Sequence, residues 1–379
     1  MKIAFFTLNA YDMLTRSPDG STVGGAQLQQ ILVGKELERR DHDIYFVEYD
    51  AESKTEQTID GINIVLKPRP RGNALQRTVT GISGTLDVFR RIEPDVCYRR
   101  ALDFEIIVLS VLCKLFNSQF VYGIAHDNNL DDVPDTFGSG IKNTRLYGKL
   151  NQAAISAADA VIAQNTYQYT RAQQRLDTSV YKVTNCYEPG SPEPIPELAD
   201  NESLVVLWVS RFTDFKRPEL AVEIAEACPD IEFVMIGTES DTQLFERMQS
   251  RADELDNVRF EGFVPFAEID RYFRSADVFL NTSRQEGFPN TFLQSWAYKK
   301  PVVSLTVDPD DIFTEHGAGW VLSDSVPEAV DLLNRLADDP DHRTEVGERA
   351  YRYFQDNHSI AAIVDEYGRV FTDAVTESK

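Results

Sequence analysis

A chain of 379 residues is longer than one hydrophobic core usually serves, and its 42% hydrophobic content is enough to fill two. The 61 acidic against 38 basic residues give a formal charge of -23, which repels a phosphate backbone over most of the surface and excludes nucleic acid as a partner. Arg clearly outnumbers Lys, and an acidic, Lys-poor surface suits a halophilic source, where concentrated salt screens neighbouring charges; an ordinary acidic cytosolic protein reads the same way.

The chain enters Ile3-Ala4-Phe5-Phe6 at once, as expected of a protein without a signal peptide, and its longest apolar stretch, Ile106 to Cys113, is too short to span a bilayer. Short apolar runs then alternate with amphipathic stretches, the pattern of parallel sheets covered by helices. Strands are predicted at Ile3–Leu8, Ile44–Val47, Ile62–Leu66, Val96–Tyr98, Phe120–Gly123, Ala160–Ala163 and Tyr181–Val183, with helices between most of them. From Glu188 to Pro196 four prolines stop the alternation, because proline fits neither a helix interior nor a central strand. Beyond this linker strands are predicted at Leu204–Val209, Glu232–Ile236, Val258–Phe260, Val278–Leu280, Val302–Leu305 and Trp320–Leu322. Helices are predicted from about Glu219, Gln243, Ala267, Thr291 and Pro327, and helical segments run from Pro340 to the end. The expected organisation is α/β: a first doubly wound, Rossmann-like domain over 1–187, a Pro-rich linker over 188–200, and a second such domain over 201–357. A last helix over 358–379 is a candidate to pack back on the first domain. Two such domains place their strand-end loops near one interface, so a ligand is expected in a cleft between them. Cys97, Cys113, Cys186 and Cys228 have no paired spacing, which argues against a zinc site or a disulfide framework and points to a cytoplasmic location.

In chain order, the first candidate for chemistry is Val23-Gly24-Gly25, where glycine lets backbone approach a ligand and a helix start offers N–H donors. It is not a dinucleotide fingerprint: the three-glycine spacing is missing, although Glu48 ends the second strand where a ribose-binding acid would stand. From Gly61 to Leu86 there is no acidic residue, while Lys67, Arg69, Arg71 and Arg77 share one loop-like stretch with Pro68 and Pro70. That loop is expected either to meet an anionic membrane or lipid-phosphate acceptor, or to pair with the acidic second domain. His126 follows an apolar run that puts it at a strand's carboxyl end, a position for a catalytic or a structural histidine.

In the second half, Arg211, Lys216 and Arg217 fall in one strand-end loop of a very acidic protein, so an anion is the expected partner; solvated pairing with Asp214 and Glu219 is the alternative. The segment from Asn281 to Val303 reads as a strand end, a Glu286-Gly287-Phe288-Pro289 loop and a helix capped by Asn290. The N–H groups of Thr291, Phe292 and Leu293 are then expected to face a phosphate, and Gln294, one turn on, a ribose. An ordinary capped helix gives the same pattern. No nucleophile with an adjacent base, metal-ligand cluster or Gly-rich Lys-Ser/Thr loop is present, which weighs against hydrolase, metalloenzyme and ATPase readings.

Taken together and in this order, GGAQLQQILVGKELERRDHDI, EPDVCYRR, AADAVIAQN, SRFTDFKRPELAVEIAE and EGFPNTFLQSWAYKKPVV resemble the retaining glycosyltransferases of family 4, which have the GT-B fold, over almost the whole chain. The resemblance implies transfer of a sugar from a nucleotide-diphosphate sugar to a glycan, lipid-linked or small-molecule acceptor, with retention, without a divalent metal and without a cofactor beyond the donor substrate. It assigns Arg211 and Lys216 to the donor diphosphate, Glu286 to hydroxyls of the transferred sugar, and His126 to the reacting sugar. The remaining donor-binding positions are Gly24, Gly25, Gly287, Phe288, Pro289, Asn290, Thr291, Phe292 and Gln294. The last is a departure, because the family has a ribose-binding glutamate there, and it leaves open a non-catalytic GT-B binding subunit. A nucleotide-sugar epimerase is the other competing reading, offered only His126 and His316 as additional groups. A location on the inner membrane face follows if the basic loop meets lipid.

Overall fold

The computed structural model describes residues 1–15, 24–51, 54–131, 145–199 and 203–376. Val23 and residues 200–202, at the end of the expected linker, lie outside them. The chain forms two units: the first holds the residues to Cys186 together with those from Ile360 onward, the second Tyr187–Ser359.

In the first unit the order is β1 (Lys2–Leu8), α1 (Tyr11–Leu14), α2 (Gly25–Glu38), β2 (Asp43–Tyr49), β3 (Gln57–Ile59), β4 (Ile62–Lys67), α3 (Ala74–Ile92), β5 (Val96–Arg99), α4 (Phe104–Phe116), β6 (Gln119–Gly123), α5 (Arg145–Ser156), β7 (Ala160–Ala163), α6 (Thr166–Arg175) and β8 (Ser179–Lys182). The sheet runs β3-β4-β2-β1-β5-β6-β7-β8, parallel except for β3. Its central strands are continuous apolar runs because both faces are covered. Ile3 and Phe5 face α2 and the chain's last helix, whereas Ala4 and Phe6 face the layer of α3, α4, α5 and α6. That last helix, α15 (Ile360–Thr376), buries Ile363, Tyr367 and Phe371 against Phe5 and Tyr98.

Two features of this unit were not expected. The strand β3 is short and polar, and it turns back on β4 through Asp60 and Gly61, both at positive φ. Asp-Gly is the residue pair such a two-residue hairpin requires, so its signal was present in the sequence and went unused. Lys67, placed by sequence among the loop cations, is instead the last residue of β4 and fully buried. Its Nζ donates to both Glu105 oxygens at 2.7 Å and to Thr85 at 2.5 Å. An ammonium is tolerated inside only with such compensation, and the partner carboxylate sits 38 positions away, where sequence patterning gives no sign of it.

The second unit begins with a stretch from Glu188 to Ile195 that has neither helix nor strand, followed by the single-turn α7 (Pro196–Ala199), which uses proline at its first position. It continues with β9 (Val205–Val209), α8 (Pro218–Ala227), β10 (Glu232–Ile236), α9 (Thr242–Ala252), β11 (Val258–Gly262), α10 (Phe266–Ser275), β12 (Val278–Asn281), α11 (Asn290–Ala297), β13 (Val302–Ser304), α12 (Ile312–His316), β14 (Gly319–Val321), α13 (Val326–Asp338) and α14 (Pro340–Asn357). Its six strands pair in the order β11-β10-β9-β12-β13-β14, all parallel. Both units are therefore Rossmann-like doubly wound sheets.

Candidate active site

In the second unit the strand order reverses at β9: the chain moves from β9 outward to β10 and β11, then returns to place β12 on the other side. A crevice opens at such a reversal, outside the carboxyl ends of the two central strands. The loops there are residues 210–217 after β9 and 282–289 after β12, the two segments singled out by sequence.

These loops are wired to each other. Trp208 Nε1 donates to Thr282 Oγ1 at 2.9 Å, and Thr282 Oγ1 donates to the Lys216 carbonyl at 2.7 Å. Arg217, buried and with φ of 50°, donates from Nε to the Thr282 carbonyl at 2.6 Å and pairs with Asp324 at 2.6 Å. The backbone N–H of Arg284 donates to the Phe215 carbonyl at 3.2 Å. Of the three cations in the first loop, Arg217 is thus structural. Its neighbour Lys216 is left to reach across and pair with Glu286, whose Oε1 also accepts from Ser283 Oγ at 2.8 Å. Neither Asp214 nor Glu219 holds these cations among the described residues. Arg211 stands exposed beyond β9, and its side chain makes no hydrogen bond or ion pair among the described residues. Gly237, at the end of β10, lets this loop pass: a Cβ there would lie 1.8 Å from the Ser210 carbonyl oxygen.

The helix α11 starts one residue differently from the sequence reading. Pro289, with φ of -68° and ψ of 122°, is the cap and Asn290 the first helical residue. Asn290 does not cap, because the Phe292 N–H that its side chain would take donates to the Pro289 carbonyl at 3.2 Å. Leu293, in the fourth helical position, belongs to the helix's own ladder, so of the three expected donors Thr291 is the one that this ladder does not take up. Gly287 and Phe288 complete the loop, with Phe288 buried and its ring 4.7 Å from that of His358.

Gln294 is 4% exposed rather than presented on a surface. It lies beside Tyr187, whose hydroxyl donates to Asp270 at 2.5 Å. Burial, and after it the Asp270 charge, pushes the Tyr187 phenol well above its ordinary pKa. Asp270 also accepts from Tyr298 at 2.9 Å and from the Gly190 N–H at 3.2 Å, which ties the start of the linker to α10 and α11. Tyr187 and Asp270 were missed by sequence reasoning, since a lone acid inside an amphipathic helix carries no signal.

The first unit has its own reversal between β1 and β5. Gly24 caps α2 and Gly25 opens it, both exposed. His126 follows β6, exposed, with its backbone N–H held by Asn129 Oδ1 at 3.1 Å. Sequence reasoning also missed a buried network beside β1. Glu48, at the end of β2, accepts from Thr7 Oγ1 and, at 2.9 Å, from the Ala10 N–H, and Arg99 bonds the Phe6 carbonyl and Asp103. Glu48 thereby fixes the loop after β1 and is no ribose ligand, being fully buried.

Residues 193–353, which include both wired loops, match the family model of glycosyl transferases group 1. That match falls within the second unit. Over 376 residues the chain is 20% identical to an uncharacterized glycosyltransferase of Haemophilus influenzae, covering 97% of this chain and 98% of that one. Among solved structures it is similar to a sucrose-phosphate synthase from Thermosynechococcus elongatus, with a TM-score of 0.82 at 15% identity and 98% coverage of each chain. It is also similar to HepE of Anabaena in complex with UDP-glucose, with a TM-score of 0.74 at 17% identity, over 98% of this chain and 100% of that one. The fold is GT-B, and the enzyme class is glycosyltransferase.

Proposed function

We propose that this glycosyltransferase is a retaining, metal-independent enzyme of family 4 that moves a sugar from a nucleotide-diphosphate sugar to a glycan or lipid-linked acceptor. The observation that carries the reading is the Lys216–Glu286 pair, held at the reversal of the second sheet by loops that are bonded to each other. Breaking the glycosidic bond adds negative charge to the leaving diphosphate. Lys216, Arg211 and the start of α11 at Thr291 complement that charge more strongly in the transition state than in the bound donor. These cations take the part a divalent metal plays elsewhere. Glu286, with one oxygen held by Lys216 and Ser283, accepts sugar hydroxyls at the other. The place of Gln294 one turn into α11 supports a role at the ribose, where an amide donates to a hydroxyl without charge assistance. UDP-glucose bound to the similar HepE supports a uridine nucleotide as the first donor to try.

The test is a thermal-shift panel of nucleotide sugars followed by donor turnover with excess EDTA. A stabilising nucleotide sugar, turnover that survives EDTA and a product of unchanged anomeric configuration are expected. Loss of turnover in EDTA removes metal independence, an inverted product removes retention, and nucleotide binding without any turnover favours the binding-subunit reading that Gln294 raises.

A further inference from the structure

The outer layer of the first unit is built against the usual rule for a surface helix. A helix covering a sheet turns its large apolar residues inward. On α3 the buried residues are Gly81, Gly84, Thr85, Val88, Phe89 and Ile92, so the large ones lie only towards its end, whereas Leu75, Val79 and Ile82 of its first half are exposed, Leu75 by 73%. At 3.6 residues per turn those three side chains fall within an arc of about 60°, a single stripe along the outside of the helix. The next helix, α4, packs between α3 and α5 and exposes Val111 and Leu115, the latter by 72%; α5 exposes Leu146. Scattered exposed leucines need no account, but most of the large hydrophobic side chains exposed among the described residues stand on these three neighbouring helices.

The charge of the same layer is the reverse of the chain's. Across Ala74–Ile92, Phe104–Phe116 and Arg145–Ser156 the acidic residues are Asp87 and Glu105 alone. Glu105 is buried on Lys67, and Asp87 pairs with Arg91 at 3.4 Å. Exposed Arg77, Lys114 and Lys149 share the layer, and Arg69 and Arg71 lie in the loop that leads into α3; none of the five pairs with a carboxylate among the described residues. Arg69 instead bonds Asn9 at 3.1 Å and lies 5.0 Å from the centre of the Tyr49 ring. In a protein of charge -23 a cationic, apolar face is matched by a partner that is itself apolar beneath an anionic surface.

We propose that the outer face of α3, α4 and α5 docks on an anionic lipid bilayer, with Leu75, Val79 and Ile82 entering the headgroup boundary and Arg69, Arg71 and Arg77 meeting lipid phosphates. Among the described residues no helix is long and apolar enough to cross a membrane, so the contact is peripheral. Lys67, buried on Glu105, takes no part in it. Attachment falls with salt, because the cationic share of the attraction is screened within a Debye length.

Co-sedimentation of the full chain with vesicles tests this, in the absence of donor and acceptor, so that failure here leaves the transferase reading untouched. The wild type is expected to pellet with equimolar phosphatidylcholine and phosphatidylglycerol and to stay in solution with phosphatidylcholine alone. The variant Leu75→Ser/Val79→Ser/Ile82→Ser and the variant Arg69→Gln/Arg71→Gln/Arg77→Gln are each expected to weaken pelleting by about tenfold or more. All six positions are exposed, so both variants should melt near the wild type; if the serine variant does not, the glutamine variant alone decides. Undiminished pelleting of the folded variants, or wild type that ignores anionic vesicles, overturns the proposal. So does wild type that ignores vesicles and instead self-associates in sedimentation velocity in a way the serine variant abolishes, which would make this face an interface between copies of the chain.

Discussion

Lys216 and Glu286 carry opposite charges and hold each other at the strand-end reversal, so each has a separable consequence when removed. Lys216→Ala is expected to lower donor turnover by about 100-fold or more with a much smaller change in sugar-independent nucleotide binding, since the lost charge acts mainly on the leaving group; steady-state kinetics with a calorimetric nucleotide titration checks it. Gln294→Glu brings a charge-assisted acceptor to the ribose and a carboxylate into a buried position beside Tyr187. It should tighten nucleotide binding severalfold while lowering the melting temperature, and a variant weaker in both respects would show that Gln294 is only packing.

Glu48 supplies a pH signature. Burial raises its folded pKa, against the opposing bonds from Thr7 and Ala10, so protonation is favoured more by the folded than by the unfolded state. Its contribution to stability is therefore complete below the unfolded value of about 4.3 and is lost as pH rises through the folded value. The melting temperature of Glu48→Gln minus that of the wild type should accordingly increase with pH across that window, and a difference that falls instead refutes the assignment.

At the scale of elements, the loop after β9 owes its shape to Arg217. Removing its guanidinium frees the Thr282 carbonyl and Asp324, and because Asp324 is half exposed the loss is expected to be about 2 kcal/mol in urea unfolding, accompanied by loss of turnover as Lys216 drifts from Glu286. Most elements were legible beforehand, because a parallel strand covered on both faces is a short apolar run that stands out from its neighbours. Glu232–Ile236 and Ala160–Ala163 were read with their observed bounds. The polar strand β3 was not, since its position depends on pairing with β4 rather than on any apolar pattern of its own. The start of α11 moved by one residue for a related reason: whether Asn290 or Pro289 caps depends on where the Phe292 N–H points.

For the whole molecule, the charge of -23 makes self-repulsion a standing cost to the folded state. We expect the melting temperature to rise as KCl is increased from about 0.1 M to about 1 M, where the Debye length falls from ~10 Å to ~3 Å; a flat or falling profile would argue against a salt-adapted surface. Composition and periodicity alone determined that the chain is two α/β units and singled out the loops after β9 and β12, because backbone hydrogen bonding and apolar burial act over a few residues and repeat along the chain. Only the tertiary structure decided what each charged residue does. Arg217 became a brace, Lys216 a partner of Glu286, Lys67 a buried ion and Arg77 part of an exposed face, because the energy of a charge is set by burial and by partners tens of positions away.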